Sequence, residues 1–390
     1  MSTPLEAALP EPFESLKSKG LYRSLTPTDS PNGAFIQIGQ KTFLNFSSNN
    51  YLGLASHPKV ISAAQAAVKK WGAGSGASRL LSGNLSPHES LELSLARFKK
   101  EEAALTFSSG YLANLGIIST LAGPPDVVLC DRLNHASLID GVWLSGAKLW
   151  VYPHADMEKL QDFLNRAGNF RRRLVVTDSY FGMDGDVAPL DTLLQICKDN
   201  DACFMVDEAH ATGVFGEEGR GLTELFGISG QVDVVMGTLS KALGSAGGFA
   251  AGSKTLKELL INRARTFIYT TGPVPAASAA AEAAIEIMEK NPAIRKKLWQ
   301  NVSFLREAFL ALGLDLAKSR GPVIPVMVGD TQKAIRWSQA LGRENIHAAL
   351  IRPPTVPKDT DRIRFSVTAE HDKKDLEKLI AVMKKIRNLK

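Results

Sequence analysis

VDEAHATG at residues 206–213 and GTLSKALGSAGG at residues 237–248 decide the reading of this chain. Each starts in a short apolar run and ends in groups that do chemistry: Asp207 and His210 in the first, Thr238 and Lys241 in the second. Outward from them, DVVLCD (126–131) and RRLVVTDSYF (172–181) repeat the pattern, ending on Asp131 and on Asp178 with Ser179. Short runs nearly continuous in β-branched and apolar residues, alternating with helical stretches, are the signature of βαβ units in a mostly parallel sheet buried on both faces. Ligands bind such sheets outside the carboxyl ends of the strands, so these four polar ends are predicted to share one crevice.

The segment EAALTFSSGYLANLGIISTL (102–121) reads as a strand end, a Ser-Ser-Gly turn and a helix. A helix starting there aims free N–H groups and its positive dipole end at the crevice, an arrangement that holds an anion. Lys241, set among glycines and small residues just after a buried strand, has an amine whose pKa burial lowers, and such an amine forms Schiff bases. Asp207 at the neighbouring strand end can pair with a protonated pyridine nitrogen, the partner that pyridoxal 5'-phosphate (PLP) uses as an electron sink. Ser109, Gly110 and Tyr111, helped by the Thr238 hydroxyl, form the phosphate cradle. His210 is placed to donate to the ring's phenolic oxygen, and His135, in DRLNHASLIDG (131–141), to stack on the ring face. Taken singly, each piece has a structural reading: a surface lysine, a satisfied histidine, a helix cap. Their conjunction points to a PLP site.

Composition narrows the remaining classes. The 390 residues are 44% hydrophobic and 22% charged, which excludes a disordered or fibrous chain and suggests two to three structural units. Net charge is +6, without the clustering that marks nucleic-acid binders. The basic tail carries Leu376, Leu379, Ile380, Met383 and Ile386 at helical spacing and reads as a packed helix with a solvated face. Three cysteines without a C-x-x-C pair argue against a disulfide framework and a zinc site, and a reducing cytoplasm fits. No export signal is readable, and the alanine-rich stretch 276–288, broken by Glu282 and Glu286, is too short and too charged to span a membrane.

The chain resembles the α-oxoamine synthases among the fold-type-I PLP enzymes. The resemblance runs from FSSNNYLGLASHP (46–58) through GSGASRLLSGNLSPHESLE (74–92), the segments already quoted, and VVTDSYFGMDGDVAPL (175–190), to IRPPTVP (351–357). It implies a fold-type-I α/β architecture; the pattern of strands and helices along the chain divides it into a large PLP-binding domain over 51–287, a smaller α+β domain over 288–390, and an N-terminal segment 1–50 expected to pack on the latter. It implies that Lys241 carries the Schiff base, Asp207 pairs with the pyridine nitrogen and His135 stacks on the ring. Gly110, Tyr111 and Thr238 then meet the phosphate, and Ser179 and His210 contact the ring or its phenolic oxygen. Arg352 matches the arginine expected on the substrate carboxylate, with Thr355 in the same loop, and Arg23 and Asn49 match positions near the acyl substrate.

Thr270 and Thr271 match threonines that reach a phosphate across a dimer interface, implying a homodimer with a shared site. The chain departs from the family's pattern at Asn50, often aspartate, and at Gly272-Pro273-Val274. Ser240 before the lysine and the Arg-Pro-Pro-Thr-Val-Pro string point to the member that condenses L-alanine with a pimeloyl thioester of coenzyme A (CoA) or acyl carrier protein. Siblings using glycine or serine, an aminotransferase on the same fold, and a PLP-sensing regulator are the competing readings. The last lacks a recognisable DNA-binding segment.

Overall fold

The computed structural model describes residues 3–18, 22–353, 355–387 and 389. Strands β1 (Phe35–Ile38) and β2 (Lys41–Asn45) form an antiparallel hairpin. Seven further strands follow: β3 (Ala103–Phe107), β4 (Val127–Asp131), β5 (Lys148–Tyr152), β6 (Arg173–Asp178), β7 (Cys203–Asp207), β8 (Val234–Thr238) and β9 (Gly248–Gly252). They assemble in the order β3-β9-β8-β7-β6-β4-β5, with β9 antiparallel to both neighbours and β4 to β8 mutually parallel.

The apolar runs predicted as strands are β4, β6, β7 and β8. Their alternate residues pack on opposite faces: Val128, Cys130, Leu174, Val176 and Met205 enter one core, while Val127, Leu129, Val175, Phe204 and Val206 enter the other. A strand with two apolar faces needs helices on both sides, and that is what the βαβ connections supply. β5 and β9 carry no such signal. β5 is an edge strand with three partly or fully exposed positions at its centre, and β9 is glycine and alanine wedged between β3 and β8. At Gly248 a Cβ would lie 2.6 Å from Cα of Gly110, so only glycine lets β9 approach the helix Gly110–Leu121 this closely.

β10 (Val323–Gly329), β12 (Ala349–Ile351) and β13 (Asp361–Ser366) form a separate antiparallel sheet, and β11 (Ile346–His347) pairs in parallel with β2. The N-terminal hairpin is thereby joined to a strand from the last fifty residues. The chain leaving β2 stays against this unit: Phe46 N–H donates to His347 O at 2.7 Å, and Phe46 O accepts from Ser366 N–H at 2.7 Å. That path delivers Asn49 and Tyr51 to the carboxyl ends of the main sheet. The tail forms the helix Lys373–Ile386, whose Leu376, Leu379, Val382, Met383 and Ile386 are buried and whose N-terminus carries an Asp372–Asp375 capping box. Among the described residues no helix is long and apolar enough to cross a membrane.

Candidate active site

The carboxyl ends of β6, β7 and β8 and the N-terminus of the helix Gly110–Leu121 enclose a cavity of about 230 Å³. Among its lining residues are Gly110, Tyr111, His135, Asp207, His210, Thr238 and Lys241, seven of the ten cofactor-binding residues the sequence predicts.

Asp207 ends β7, and both its carboxylate oxygens are fixed. Asn114 Nδ2 donates to Oδ2 at 2.8 Å, and the backbone N–H of Ala209 donates to Oδ1 at 2.7 Å. Asn114 also donates to Ser137 Oγ at 2.9 Å, which ties the helix carrying Gly110 to the helix Ala136–Ser145. Its own Oδ1 is buried without a partner. His135 is the N-cap of that second helix. Its ring is held by Ser137 Oγ at 2.7 Å from Nδ1, and its backbone N–H donates to Asp178 Oδ2 at 2.7 Å. Ser179 is fully buried, and its N–H and Oγ both donate to Asp207 O, at 2.8 and 2.9 Å. Ser179 therefore joins β6 to β7 beneath the cavity.

Lys241 follows β8. Burial lowers its amine pKa to about 8, against opposing attraction from Asp207 and Asp178, with Arg364 lowering it further. The amine is thus partly unprotonated near neutral pH, as a nucleophile must be. Burial, together with the Asp207 charge, raises the Asp178 carboxyl well above its usual range. His210 is held well below the usual imidazole pKa by burial and then by Lys241, Arg364 and His135. At the other end, Ser109 caps the helix by accepting from Leu112 N–H at 3.1 Å, leaving the first-turn N–H groups of Gly110 and Tyr111 turned to the cavity. Thr238 Oγ1 donates to Gly247 O at 2.9 Å and lies 2.8 Å from Ser240 Oγ.

The residues fit PLP by their chemistry: an anion cradle, a fixed carboxylate and an amine of lowered pKa line one cavity.

Five predicted residues lie elsewhere, and one strand end is used differently. Thr270 and Thr271 do not line the cavity; Thr271 forms an isolated bridge with Ser78. Arg23 and Thr355 meet outside it, Arg23 Nη2 donating to Thr355 Oγ1 at 3.4 Å, and Arg352 contributes its carbonyl to Thr355 N–H at 3.1 Å. Asp131, expected in the shared crevice, instead accepts from Leu133 and Ala155 N–H groups at 2.8 and 2.9 Å and pairs with His154 Nδ1 at 2.9 Å. Its carboxylate shapes the turn that carries His135.

Arg364 and Asn114, absent from the sequence prediction, adjoin the site. Arg364, buried on β13, donates through Nε to Gly182 O at 2.6 Å, through Nη1 to Ser366 Oγ at 2.9 Å and through Nη2 to Asn49 Oδ1 at 3.0 Å. Its signal was the alternation in DRIRFS, which puts Arg362 and Arg364 on one strand face. Asn114 is the other. It stands four residues after Gly110 and so faces the same side of the helix.

Residues 41–383 match the aminotransferase class I and II family. The chain belongs to that family. It is 45% identical to an 8-amino-7-oxononanoate synthase of Thermoanaerobacter pseudethanolicus over 96% of this chain and 95% of that protein. Its fold-type-I architecture superposes on a serine palmitoyltransferase solved with PLP as the internal aldimine, with a TM-score of 0.93 at 31% identity, covering 99% of this chain and 98% of that one. A crystal structure of an 8-amino-7-oxononanoate synthase from Francisella tularensis gives 0.77 at 30% identity, covering 88% and 97%.

Proposed function

We propose that this chain is a PLP-dependent acyltransferase that condenses L-alanine with a pimeloyl thioester, releasing carbon dioxide and the free thiol and forming 8-amino-7-oxononanoate for biotin biosynthesis. The single observation that carries the chemistry is the Lys241 amine, lowered to about 8, in one cavity with the doubly anchored Asp207 carboxylate. The choice of product follows the sequence likeness to the synthase, 45% over 96% of this chain, because near-identical folds host many reactions.

PLP, when bound, supplies the electron sink for charge left at the substrate Cα. Gly110 and Tyr111 N–H groups with Thr238 would hold its phosphate, Asp207 would pair with its ring nitrogen, and His135 and His210 would contact the ring. Nζ of Lys241 takes the Cα proton of the bound amino acid as general base and returns a proton after decarboxylation. For the carboxylate, Arg364 is the better-placed guanidinium than Arg352. Three of its five N–H donors are used by Gly182, Ser366 and Asn49, leaving one on each terminal nitrogen for a bidentate contact. Arg23, Arg352 and Thr355 are assigned to the acyl chain's approach, and Thr270 with Thr271 to the cavity of a second copy in a cytoplasmic homodimer.

The test is thiol release from pimeloyl-CoA with L-alanine, glycine or L-serine as the amino acid. The expected result is release with alanine foremost, accompanied by carbon dioxide. A thioester consumed chiefly with glycine or serine moves the chain to a sibling activity, and amino-group exchange with keto acids without thiol release overturns the reading.

A further inference from the structure

Tyr51 is fully buried, and its hydroxyl stands 2.8 Å from Nδ1 of His210 and 3.4 Å from Oδ1 of Asn49. The Asn49 oxygen already accepts from Nη2 of Arg364 at 3.0 Å. That contact fixes the amide's orientation, since the flipped form would set an NH₂ against a guanidinium. A phenol has one proton to give, and O–H donors to acceptors favour separations well under 3.2 Å. Only Nδ1 of His210 satisfies that distance. We propose that Tyr51 is a positioning residue that fixes the tautomer of His210, holding Nδ1 as an acceptor and so keeping the ring proton on Nε2.

The opposite arrangement costs more. If Nδ1 carried the proton and donated to the Tyr51 oxygen, the phenolic proton would have to reach Asn49 Oδ1 at 3.4 Å, in competition with Arg364. Both groups also hold the protonation states the proposal needs. Burial pushes the Tyr51 phenol up, so it keeps its proton, and burial with the nearby cations keeps the His210 imidazole neutral. A neutral imidazole must choose one nitrogen for its proton. Nε2 makes no hydrogen bond among the described residues, and a Cβ at Gly182 would fall 2.3 Å from it, so the ring is seated by shape on one side and by Tyr51 on the other. His210 then offers the cavity a donor at Nε2, where the resemblance expects contact with the PLP phenolic oxygen. The inference rests on this cavity being the cofactor site, but not on which amino acid or thioester the protein uses.

The experiment is ¹⁵N NMR of histidine-labelled protein without cofactor, with His210→Asn used only to assign the His210 signals. The wild-type ring is expected as the Nε2–H tautomer. In Tyr51→Phe the Nε2–H to Nδ1–H ratio is expected to fall about tenfold, the loss of one buried hydrogen bond. Asn49→Ala is expected to leave the ratio unchanged, because Tyr51 still donates. An Nδ1–H tautomer in the unaltered protein overturns the proposal even if no variant folds. So does a Tyr51→Phe ratio equal to wild type, or an Asn49→Ala ratio that shifts as Tyr51→Phe does. The readout is independent of turnover: an Nε2–H ring in a protein that does not release thiol with any amino acid leaves this proposal standing and removes the proposed function.

Discussion

Asn114 Nδ2 donates to Oδ2 of Asp207 at 2.8 Å, a contact between the helix Gly110–Leu121 and the end of β7. The residue that aims the carboxylate thus sits four positions after the one that opens the anion cradle. One rigid helix therefore sets the distance between the two ends of the site. Asp207→Asn removes the charge and keeps the shape. Turnover is expected to fall by about 10²-fold or more, on the scale seen when a preorganised electrostatic group is lost, with thermal unfolding shifted by only a few degrees. Steady-state rates and melting curves on the same preparation check this; a variant with near wild-type turnover removes Asp207 from the mechanism.

The Lys241 amine predicts a pH profile. With its pKa near 8, the reaction of cofactor-free protein with PLP is expected to quicken as pH rises through about 8, because only the unprotonated amine attacks the aldehyde. Asp207 favours the protonated amine, so the inflection in Asp207→Asn should move to lower pH. Because the folded pKa lies below the unfolded value near 10.5, the unfolded chain binds the extra proton between the two, and this group makes stability rise with pH across that window. Stopped-flow absorbance between pH 6 and 10 reads the inflection.

His154 bridges Asp131 at 2.9 Å and Asp186 at 2.6 Å, joining the turn that carries His135 to the loop after β6. Burial opposes its charge, but hydrogen bonds to both carboxylates win and raise its pKa to about 10. A folded pKa above the unfolded one gives stability that is full below about 6.5, declines as pH rises, and is gone once pH passes about 10. His154→Gln should flatten that alkaline decline and lower stability near neutral pH by roughly 3 kcal/mol, since two carboxylates lose their cation. Urea unfolding at pH 6, 8 and 10 distinguishes this from a pH-independent loss.

Gly182→Ala places a methyl 2.3 Å from His210 Nε2. The contact is with an imidazole fixed by Tyr51, so the ring has to move. PLP affinity is expected to weaken about tenfold or more, because the three atoms nearest that Cβ all belong to the His210 ring. Equilibrium dialysis of the cofactor measures it, and an unchanged affinity would show that His210 does not contact PLP.

The sequence exposes what is written locally. Strands β4, β6, β7 and β8 are continuous apolar runs, and the groups at their ends follow directly, because a buried parallel strand can only present chemistry at its carboxyl end. β9 is GFAAG and has neither β-branched residues nor alternation; its place is set by close approach to Gly110 rather than by propensity. Asp131 looks the same as Asp207 in sequence, yet His154, twenty-three residues later, claims it. Arg364 and Tyr51 reach the site only because β2 pairs with β11 and the chain after it lies beside β13. Contacts separated by some three hundred residues leave no local trace.

Lys241 is proposed to carry PLP in this cavity. Incubating the protein with PLP, reducing with borohydride and mapping the modified peptide by mass spectrometry tests it most directly. One pyridoxyl group on Lys241 is expected, absent from Lys241→Ala; modification spread over surface lysines with Lys241 unlabelled overturns the assignment.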